Sequence, residues 1–481
     1  RHYSSQKFTT RFMSRALLLR ASRYSLAAPS LRPLSSLSSD FSISNNLCDA
    51  HCHHRRHYSS TLRRQEADLS KDTRTYSGVE LPLTTDLKIF KPEEVPNGPY
   101  PVFRVLNEDG TYRSSTVGPS HVPPNLLTPP EQEEAFHLMT RLQQMDSIFL
   151  NAQRQGRISF YMSSTGEEAT HIGSSLPMTL DDCILAQYRE TGVLMHRGFT
   201  LQQFADQCFS NSSDLGKGRQ MPVHYGSKAL NFHTISSPLT TQLPQAVGAS
   251  YFQKLSALRS GSSTSPSVTC VYFGDGAASE GDFHAALNFA ATLETPTLFI
   301  CRNNGFAIST PTDDQYRGDG IVSRAKGYGM YSIRVDGNDL LAVAAATAEA
   351  KRVAIEESRP VLIETMSYRV GHHSTSDDST RYRPASEIKR WREEDDPVER
   401  YRLWVEGEGG LGEERVQEIR DEEKINVLKA LSSAEAKAPP SLDSMFEDVY
   451  KEKTAGLQRQ ERELMEHIKK YPERYGSVGG H

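Results

Sequence analysis

The stretch that decides the fold is Val268-Thr-Cys-Val-Tyr-Phe-Gly-Asp-Gly276, which is followed by Asn303-Asn304 with 26 residues between them. The apolar runs 268–273 and 297–301 are typical of buried strands, and the Ala-rich stretch 277–293 between them predicts a helix. Alternating apolar strands and helices predict a doubly wound α/β fold, in which a parallel sheet is covered by helices on both faces.

The same pattern continues toward the C-terminus through two more apolar runs and a helical stretch between them, at 330–335, 361–366 and 339–357. After Asp395-Asp396-Pro397 the pattern changes to charged, amphipathic helices. Upstream, apolar residues at helical spacing begin near Glu131, with Asn125 or Thr128 as the predicted cap, and Thr165-Gly-Glu-Glu168 resembles a capping box. We therefore predict an α/β domain at 126–395, a C-terminal helical region at 396–481, and helices at 413–435 and 455–470.

The N-terminal segment has the composition of a mitochondrial transit peptide. Residues 1–65 carry 11 Lys/Arg and only 2 Asp/Glu, and Ala16-Leu-Leu-Leu19 lies among arginines, as in an amphipathic presequence helix. Arg56-His-Tyr58 is typical of a matrix-protease site, so we predict a transit peptide at 1–58 and a location in the mitochondrial matrix. Residues 59–125, rich in Pro, Gly and Thr, predict an extended N-terminal arm with little core of its own, lying on a neighbour.

Composition disfavours several other classes. The net charge of -5 gives no reason to expect a nucleic-acid partner, and no run of 18 apolar residues predicts a membrane span. The six cysteines are scattered and give no disulfide framework. The tract Cys48, Cys52, His53 and His54 has metal-binding residue types, but it falls in the predicted transit peptide without a second ligand pair, which disfavours zinc.

Asp275 and Asn304 carry the chemistry. Each follows one of two predicted strands, so both are expected at the carboxyl edge of the sheet, where open α/β sheets bind ligands. One carboxylate and one amide oxygen form an incomplete oxygen shell that suits Mg²⁺ together with a phosphate ligand. Gly274 and Gly276 allow close approach of the backbone, and the helix after Gly276 would offer its N-terminus to a diphosphate.

A dinucleotide-binding oxidoreductase is a weaker interpretation of the same residues. No GxGxxG follows a strand, and Asp275 occupies a position where that motif needs glycine. A magnesium and diphosphate site is therefore favoured over a nicotinamide site.

The segment Gly274–Thr310 resembles the alpha subunits of branched-chain 2-oxo-acid dehydrogenases, and the resemblance extends from about Pro101 to about Tyr475. It implies the diphosphate half of a thiamine-diphosphate-binding fold. Mg²⁺ would be bound by Asp275, Asn304 and the backbone oxygen of Phe306, a position where Tyr is common in the family.

The resemblance also implies the remaining site residues. The cofactor would be bound by Tyr188, Arg189, Ser237, Leu239, Gly274, Asp275, Gly276, Ala277, Arg302, Asn304 and His373. The substrate would contact Gln187, Tyr188, Ser237 and Leu239. A K⁺ site would be formed by Ser236, Pro238, Thr241 and Gln242, although this polar turn taken alone predicts only a helix cap.

The segment 368–383 is long, polar and Ser-rich, which predicts an exposed, mobile loop. By resemblance it is a phosphorylation loop, in which His373 assists acyl transfer with a near-neutral pKa and Ser374 is the inhibitory phosphosite. A phosphate there would be repelled by Asp377 and Asp378. A second family phosphosite corresponds to Pro384, which cannot be phosphorylated.

Only one sheet domain is predicted, so a self-sufficient enzyme of this class is not expected. The resemblance implies that a beta subunit supplies the glutamate that activates the cofactor, in an alpha2-beta2 heterotetramer, and that a lipoyl domain of the acyltransferase core accepts the acyl group. A regulatory kinase and phosphatase are further expected partners. Two alternatives stay open: the same chemistry on pyruvate or acetoin, and a catalytically silent regulatory subunit, which would predict degraded metal ligands.

Overall fold

A nine-stranded sheet is the centre of the computed structural model, which describes residues 73–113, 126–263 and 265–475. Its strands are β1 Thr73–Tyr76, β2 Val79–Thr84, β3 Val102–Phe103, β4 Cys183–Leu185, β5 Phe232–His233, β6 Thr269–Gly274, β7 Thr297–Asn303, β10 Tyr331–Asp336 and β11 Val361–Met366. A separate antiparallel pair is formed by β8 Phe306–Ala307 and β9 Thr310–Pro311. The sheet order is β1-β2-β3-β10-β11-β7-β6-β4-β5, and every neighbouring pair except β1–β2 is parallel. The predicted parallel α/β class is confirmed.

Thirteen α-helices are present in the described residues. They are α1 Pro129–Arg154, α2 Glu168–Ser175, α3 Thr191–His196, α4 Leu201–Cys208, α5 Gln242–Arg259, α6 Gly281–Leu293, α7 Thr312–Gln315, α8 Ala325–Tyr328, α9 Leu340–Glu356, α10 Ala385–Glu394, α11 Pro397–Gly407, α12 Glu413–Glu435 and α13 Ala455–Lys470. None of these helices is long and apolar enough to cross a bilayer.

Both faces of the sheet are buried, because successive side chains of a strand point to opposite faces. Along β6, Cys270 and Tyr272 pack into one hydrophobic cluster with α1, α2 and α9, whereas Val271 and Phe273 pack into another with α5 and α6. This two-sided burial explains why the strands are continuous apolar runs in the sequence rather than alternating ones.

The predicted elements of the α/β region and the C-terminus agree closely with the structure, with one exception. The chain after Asp275 first makes a single 3-10 turn, Gly276–Ser279, and α6 begins only at Gly281. The prediction of a continuous helix from residue 277 was therefore wrong. At the start of α1, Thr128 is the N-cap, as one of the two predicted alternatives, and it forms a capping box with Glu131 in which the Thr128 N–H donates to Glu131 at 2.7 Å.

The predicted transit peptide at 1–58, its predicted cleavage after Tyr58, the Cys48–His54 tract and the alternative cap Asn125 lie outside the described residues. Residues 73–113 differ from the expected arm, because they add β1, β2 and β3 to the sheet of this chain and bury core residues such as Tyr76 and Val102. Short strands interrupted by Gly and Pro carry little periodicity, which is why sequence reasoning missed them.

A buried ion cluster joins this N-terminal edge to the C-terminal helices. Asp336, at the end of β10, accepts from Arg400 at 2.9 Å and lies 3.2 Å from Arg104. Asp395 pairs with Arg400 and with Arg74 of β1. Although burial opposes ionisation, Arg400 and Arg104 hold the pKa of Asp336 well below its usual range. The N-terminal strands are thus fixed to the domain by charge as well as by sheet pairing.

An aromatic stack connects the same edge to the 368–383 loop. Tyr76 of β1 lies 6.1 Å from Trp391 of α10, and Trp391 stacks on Tyr368 at 5.1 Å between ring centroids. The β1–β2 turn also contacts the strand ends, since a Cβ on Gly305 would lie 2.4 Å from Ser77 Oγ. Residues close to the start of the described chain therefore support the base of the loop that carries His373.

Candidate active site

A cavity of about 560 Å³ opens at the carboxyl ends of β6 and β7. The cavity is lined by all the residues predicted for the cofactor, substrate, magnesium and phosphorylation sites: Gln187, Tyr188, Arg189, Ser237, Leu239, Gly274, Asp275, Gly276, Ala277, Arg302, Asn304, Phe306, His373 and Ser374. Lining residues that sequence reasoning missed are Phe160, Met162, Met221, His224, Glu280, Ala307, Ile308 and Arg369.

Asp275 and Asn304 extend neighbouring parallel strands, as the spacing predicted. The register pairs Gly274 with Arg302, and the Asp275 N–H donates to the Arg302 carbonyl at 3.3 Å. Burial raises the pKa of Asp275 to about 6. Its carboxylate accepts from Gln315 Nε2 at 2.7 Å, so Gln315 of α7 orients it. The buried carboxylate and the buried amide beside it match the oxygen donors that Mg²⁺ prefers.

Arg302 supplies the cationic side of the site. Its Nη1 donates to Glu167 at 2.8 Å and its Nε donates to Glu190, and all three side chains are buried. Among the described residues, its buried Nη2 atom has no hydrogen-bond partner. An orphaned guanidinium nitrogen on a cavity wall fits a diphosphate, because burying a donor without an acceptor is unfavourable.

Asn304 is oriented by Glu167, which sequence reasoning assigned to a capping box. Asn304 Nδ2 donates to Glu167 Oε1 at 2.9 Å. Glu167 makes no side-chain cap on α2, and Gly166 N–H donates instead to Glu168 at 2.9 Å. The capping box predicted for Thr165 and Glu168 was therefore wrong, because α2 begins at Glu168 with Glu167 as its N-cap, so Thr165 and Glu168 do not occupy the N-cap and N3 positions.

Gly276 is required by packing rather than by a positive φ. A Cβ at this position would lie 2.5 Å from Ala307 Cβ, in the β8–β9 hairpin. The close contact brings this hairpin, and with it the backbone of Phe306, over the end of β6. The predicted helix N-terminus at this point is replaced by the 3-10 turn described above, so an anion here would meet that turn and not the start of α6.

His373 differs from the expectation of a near-neutral pKa. Burial, together with the guanidinium groups of Arg189 and Arg369, lowers the pKa of His373 to about 3. Arg189 Nη2 lies 3.3 Å from His373 Nδ1 and also donates to the His373 carbonyl. Because arginine only donates, Nδ1 is the acceptor and the neutral ring carries its proton on Nε2.

The 368–383 loop is anchored at both ends and is not exposed throughout, contrary to the prediction. Tyr368, Arg369 and Arg383 are buried, and Arg369 donates to the Ile308 carbonyl at 2.7 Å. Asp377 accepts from the His373 N–H at 2.7 Å. Ser374 is half-buried on the cavity wall, and its carbonyl accepts from the Asp377 N–H at 3.1 Å.

Of the predicted potassium residues, Ser236, Pro238 and Thr241 lie in the turn before α5, and Gln242 is the first residue of that helix. Ser236, Pro238, Thr241 and Gln242 are absent from the cavity lining, although Ser237 and Leu239 of the same turn line it. Ser237 Oγ lies 2.8 Å from His224 Nε2, and Gln242 Nε2 donates to the Tyr272 carbonyl at 3.0 Å.

Backbone strain is concentrated around the cavity mouth. Val223, Thr240 and Ile308 are β-branched residues with positive φ values of 64, 64 and 55°. Each lies next to, or is itself, a residue that lines the cavity. Such strain persists where surrounding contacts impose it, and it clusters at ligand sites.

The fold and the site together are those of a thiamine-diphosphate-dependent 2-oxo-acid dehydrogenase component. A comparison with known families agrees, because the chain belongs to the dehydrogenase E1 component family, whose model matches residues 136–443. The chain is 50% identical over 376 residues to the 2-oxoisovalerate dehydrogenase subunit alpha, mitochondrial, of Dictyostelium discoideum, covering 78% of this chain and 82% of that protein.

Two further relatives are also named as mitochondrial 2-oxoisovalerate dehydrogenase alpha subunits. Subunit alpha 1 of Arabidopsis thaliana is 49% identical over 403 residues, which cover 83% of this chain and 82% of the relative. The subunit alpha of Homo sapiens is 46% identical over 414 residues, which cover 86% and 90%. The resemblance predicted from Gly274–Thr310 is confirmed.

Proposed function

We propose that this chain is the alpha subunit of a mitochondrial branched-chain 2-oxo-acid dehydrogenase, with 3-methyl-2-oxobutanoate dehydrogenase (2-methylpropanoyl-transferring) activity. It acts in branched-chain amino acid catabolism. The observation that carries the proposal is that Asp275 and Asn304 lie together at the ends of neighbouring strands, in the same cavity as Arg302. Among the described residues, Arg302 Nη2 has no hydrogen-bond partner. Relatives named as 2-oxoisovalerate dehydrogenase alpha subunits support the substrate class.

Thiamine diphosphate is the cofactor, and when bound it supplies the electron sink that decarboxylation of a 2-oxo acid needs. Arg302, Tyr188 and Arg189 would bind the diphosphate, with the backbone at 274–277 close to it. Ser237 and Leu239, with Gln187, border the cofactor and the substrate. Gln187 Oε1 accepts from the Gly274 N–H at 2.7 Å, which fixes the first residue of this backbone segment.

Mg²⁺ would be bound by the Asp275 carboxylate, the Asn304 amide oxygen and the Phe306 backbone oxygen. Asn304 Oδ1 faces away from Glu167, because Nδ2 makes that bond. The Phe306 backbone lies two residues further along the same turn. Potassium would be held by Ser236, Pro238, Thr241 and Gln242, and would brace the turn that carries Ser237 and Leu239.

His373 would act as a neutral hydrogen-bond donor through Nε2, rather than as a cationic acid. Its Nδ1 accepts from Arg189, and the Asp377 carboxylate fixes its backbone. In this role it orients an oxygen atom during acyl transfer to a lipoyl group. Ser374, which lines the same cavity, would be the site at which a kinase and a phosphatase regulate this transfer.

A beta subunit would complete the site, in an alpha2-beta2 heterotetramer. One sheet of this class is present in the described residues, and the glutamate that activates the cofactor would come from the partner. The cavity mouth carries three exposed apolar side chains, those of Met221, Leu239 and Ile308, which suits burial against another protein. The lipoyl domain of the acyltransferase core would approach through the His373 side.

The test is co-expression with a beta subunit, followed by calorimetric titration of thiamine diphosphate with Mg²⁺ and by decarboxylation assays across 2-oxo acids. Asp275→Asn should abolish binding and turnover, whereas Asp282→Asn, on the exposed start of α6, should leave both unchanged. Preferential turnover of pyruvate or acetoin would identify the alternative substrate. A wild-type heteromer that takes up no cofactor would refute the proposal and favour a silent subunit.

A further inference from the structure

We propose that Glu167 is the positioning residue of the cofactor site, because its two carboxylate oxygens hold Arg302 and Asn304 in the orientations that a magnesium diphosphate requires. The inference rests on the function proposed above and deepens it. Glu167 is absent from the cavity lining and lies behind Arg302 and Asn304. It would therefore act through these residues, without touching metal or cofactor.

The geometry links the anion-binding and metal-binding groups through one side chain. Glu167 Oε2 accepts from Arg302 Nη1 at 2.8 Å, and Glu167 Oε1 accepts from Asn304 Nδ2 at 2.9 Å. Residues 302 and 304 are two apart at the end of β7, so their side chains leave the same face of the strand. A single carboxylate can bridge them for this reason.

The 2.9 Å bond to Glu167 favours one orientation of the Asn304 amide, the same one in which Oδ1 accepts a longer, 3.4 Å hydrogen bond from the Phe306 N–H. A carboxylate only accepts hydrogen bonds, so it selects the amide orientation in which Nδ2 faces Glu167 and Oδ1 faces the opposite side. Oδ1 is then the atom presented to a cation. With a donor in place of Glu167, the favoured orientation would reverse and the amide NH2 group would face the metal position.

Glu167 also fixes the guanidinium plane. Arg302 is held through Nη1 by Glu167 and through Nε by Glu190, and Nη2 is left buried without a partner in the described part of the chain. Glu167 is paired with the Arg302 guanidinium, and its carboxylate is the hydrogen-bond acceptor for both Arg302 and Asn304.

The local structure at Glu167 agrees with this role. Glu167 occupies the N-cap position of α2, where a side chain normally accepts from the helix backbone, yet it makes no such bond. Its backbone N–H donates to the Ser164 carbonyl at 2.9 Å, which holds the residue with its carboxylate directed at β7. Groups that orient metal ligands in this way typically change metal affinity about 10- to 100-fold when they are mutated.

The decisive experiment measures Mn²⁺ binding in the presence of thiamine diphosphate, by electron paramagnetic resonance of the alpha–beta heteromer. Glu167→Gln retains an acceptor for Arg302 but presents a donor to Asn304. We expect the Mn²⁺ concentration for half-saturation to rise about tenfold or more. The melting temperature of the cofactor-free heteromer should stay close to that of wild type.

A reciprocal exchange isolates the orientation effect. Asn304→Asp alone sets two carboxylates against each other and should also weaken Mn²⁺ binding. The double variant E167Q/N304D restores the hydrogen bond with donor and acceptor exchanged and leaves one carboxylate oxygen for the metal, so affinity should return to near the wild-type value. E190Q/N304D is the matched control and should show no recovery, because Glu190 contacts Arg302 and not Asn304.

Mn²⁺ affinity within twofold of wild type in E167Q, or a double variant no tighter than N304D, would overturn the positioning role. If E167Q does not assemble, the comparison of E167Q/N304D with N304D decides by itself. Failure of the wild-type heteromer to bind thiamine diphosphate and Mn²⁺ would instead refute the proposed function.

Discussion

Asn303 and Asn304 are adjacent at the end of β7, yet their side-chain amides donate to two different buried glutamates. Asn303 Nδ2 donates to Glu364 of β11 at 2.8 Å, whereas Asn304 Nδ2 donates to Glu167 at 2.9 Å. Successive residues of a strand project to opposite faces, so the pair divides its roles between the interior of the sheet and the cavity.

This division predicts separable effects of two alanine substitutions. Asn303→Ala leaves Glu364 without one donor in a buried site, which should lower the free energy of unfolding by about 1–3 kcal/mol while metal affinity stays within a few-fold of wild type. Asn304→Ala removes a proposed metal ligand and should weaken Mg²⁺ affinity at least about tenfold, with a smaller effect on stability. Denaturant unfolding and calorimetric Mg²⁺ titration check the two outcomes, and equal losses of metal affinity would contradict the assignment.

A second prediction concerns Gly276. Gly276→Ala places a Cβ 2.5 Å from Ala307 Cβ, which forces the β8–β9 hairpin away from β6. We expect destabilisation of about 1–3 kcal/mol, together with weaker cofactor binding because Phe306 moves with the hairpin. Gly281→Ala is the matched control, since a Cβ there meets no atom within 4 Å in the described structure. Equal stability of the two variants in thermal unfolding would show that the hairpin adapts freely.

The protonation state of His373 gives a pH prediction. Its pKa of about 3 lies below the ordinary value, so the ring is neutral at every pH from 5.5 to 7.5. Diethyl pyrocarbonate reacts only with neutral imidazole. Carbethoxylation of His373, followed by mass spectrometry, should therefore be nearly independent of pH in this interval. A histidine peptide, with a pKa of about 6.5, should slow roughly tenfold from pH 7.5 to 5.5. A parallel decline at His373 would contradict the low pKa.

Charge at Ser374 should disturb the loop through Asp377. Asp377 accepts from the His373 N–H at 2.7 Å and from the Tyr382 hydroxyl at 2.6 Å, so a negative group on Ser374 would repel the carboxylate that holds these bonds. Ser374→Glu should reduce reductive acylation of a lipoyl domain by at least about tenfold, which equals about 1.4 kcal/mol. Ser376→Glu adds the same charge at an exposed position and should have little effect. Wild-type rates of lipoyl acylation by the Ser374→Glu heteromer would contradict a regulatory role for Ser374.

The sequence was most informative where one periodicity extends over many residues. The continuous apolar strands β6, β7 and β11 and the helix α12 were predicted nearly to the residue, and the positions of Asp275 and Asn304 followed from the strand ends. These features depend on local pattern and on chain topology, both of which can be read without knowledge of the packing.

The remaining features depend on contacts between distant segments. Gln315 and Glu167 orient Asp275 and Asn304 from 40 and 137 residues away, and no local pattern connects them. Glu167 in particular lies in a sequence that satisfies the rule for a helix cap, so the local signal was misleading. The low pKa of His373 has the same origin, because Arg189 and Arg369 come close to it only in the folded chain.

The aromatic stack of Tyr76, Trp391 and Tyr368 has a practical consequence for protein production. A shortened chain that starts at about residue 80 would lack β1, so Tyr76 would no longer pack against Trp391. We expect such a protein to keep most of its sheet but to transfer acyl groups poorly, because the aromatic packing at the base of the 368–383 loop, which carries His373, would be lost. Recombinant versions should begin upstream of Thr73.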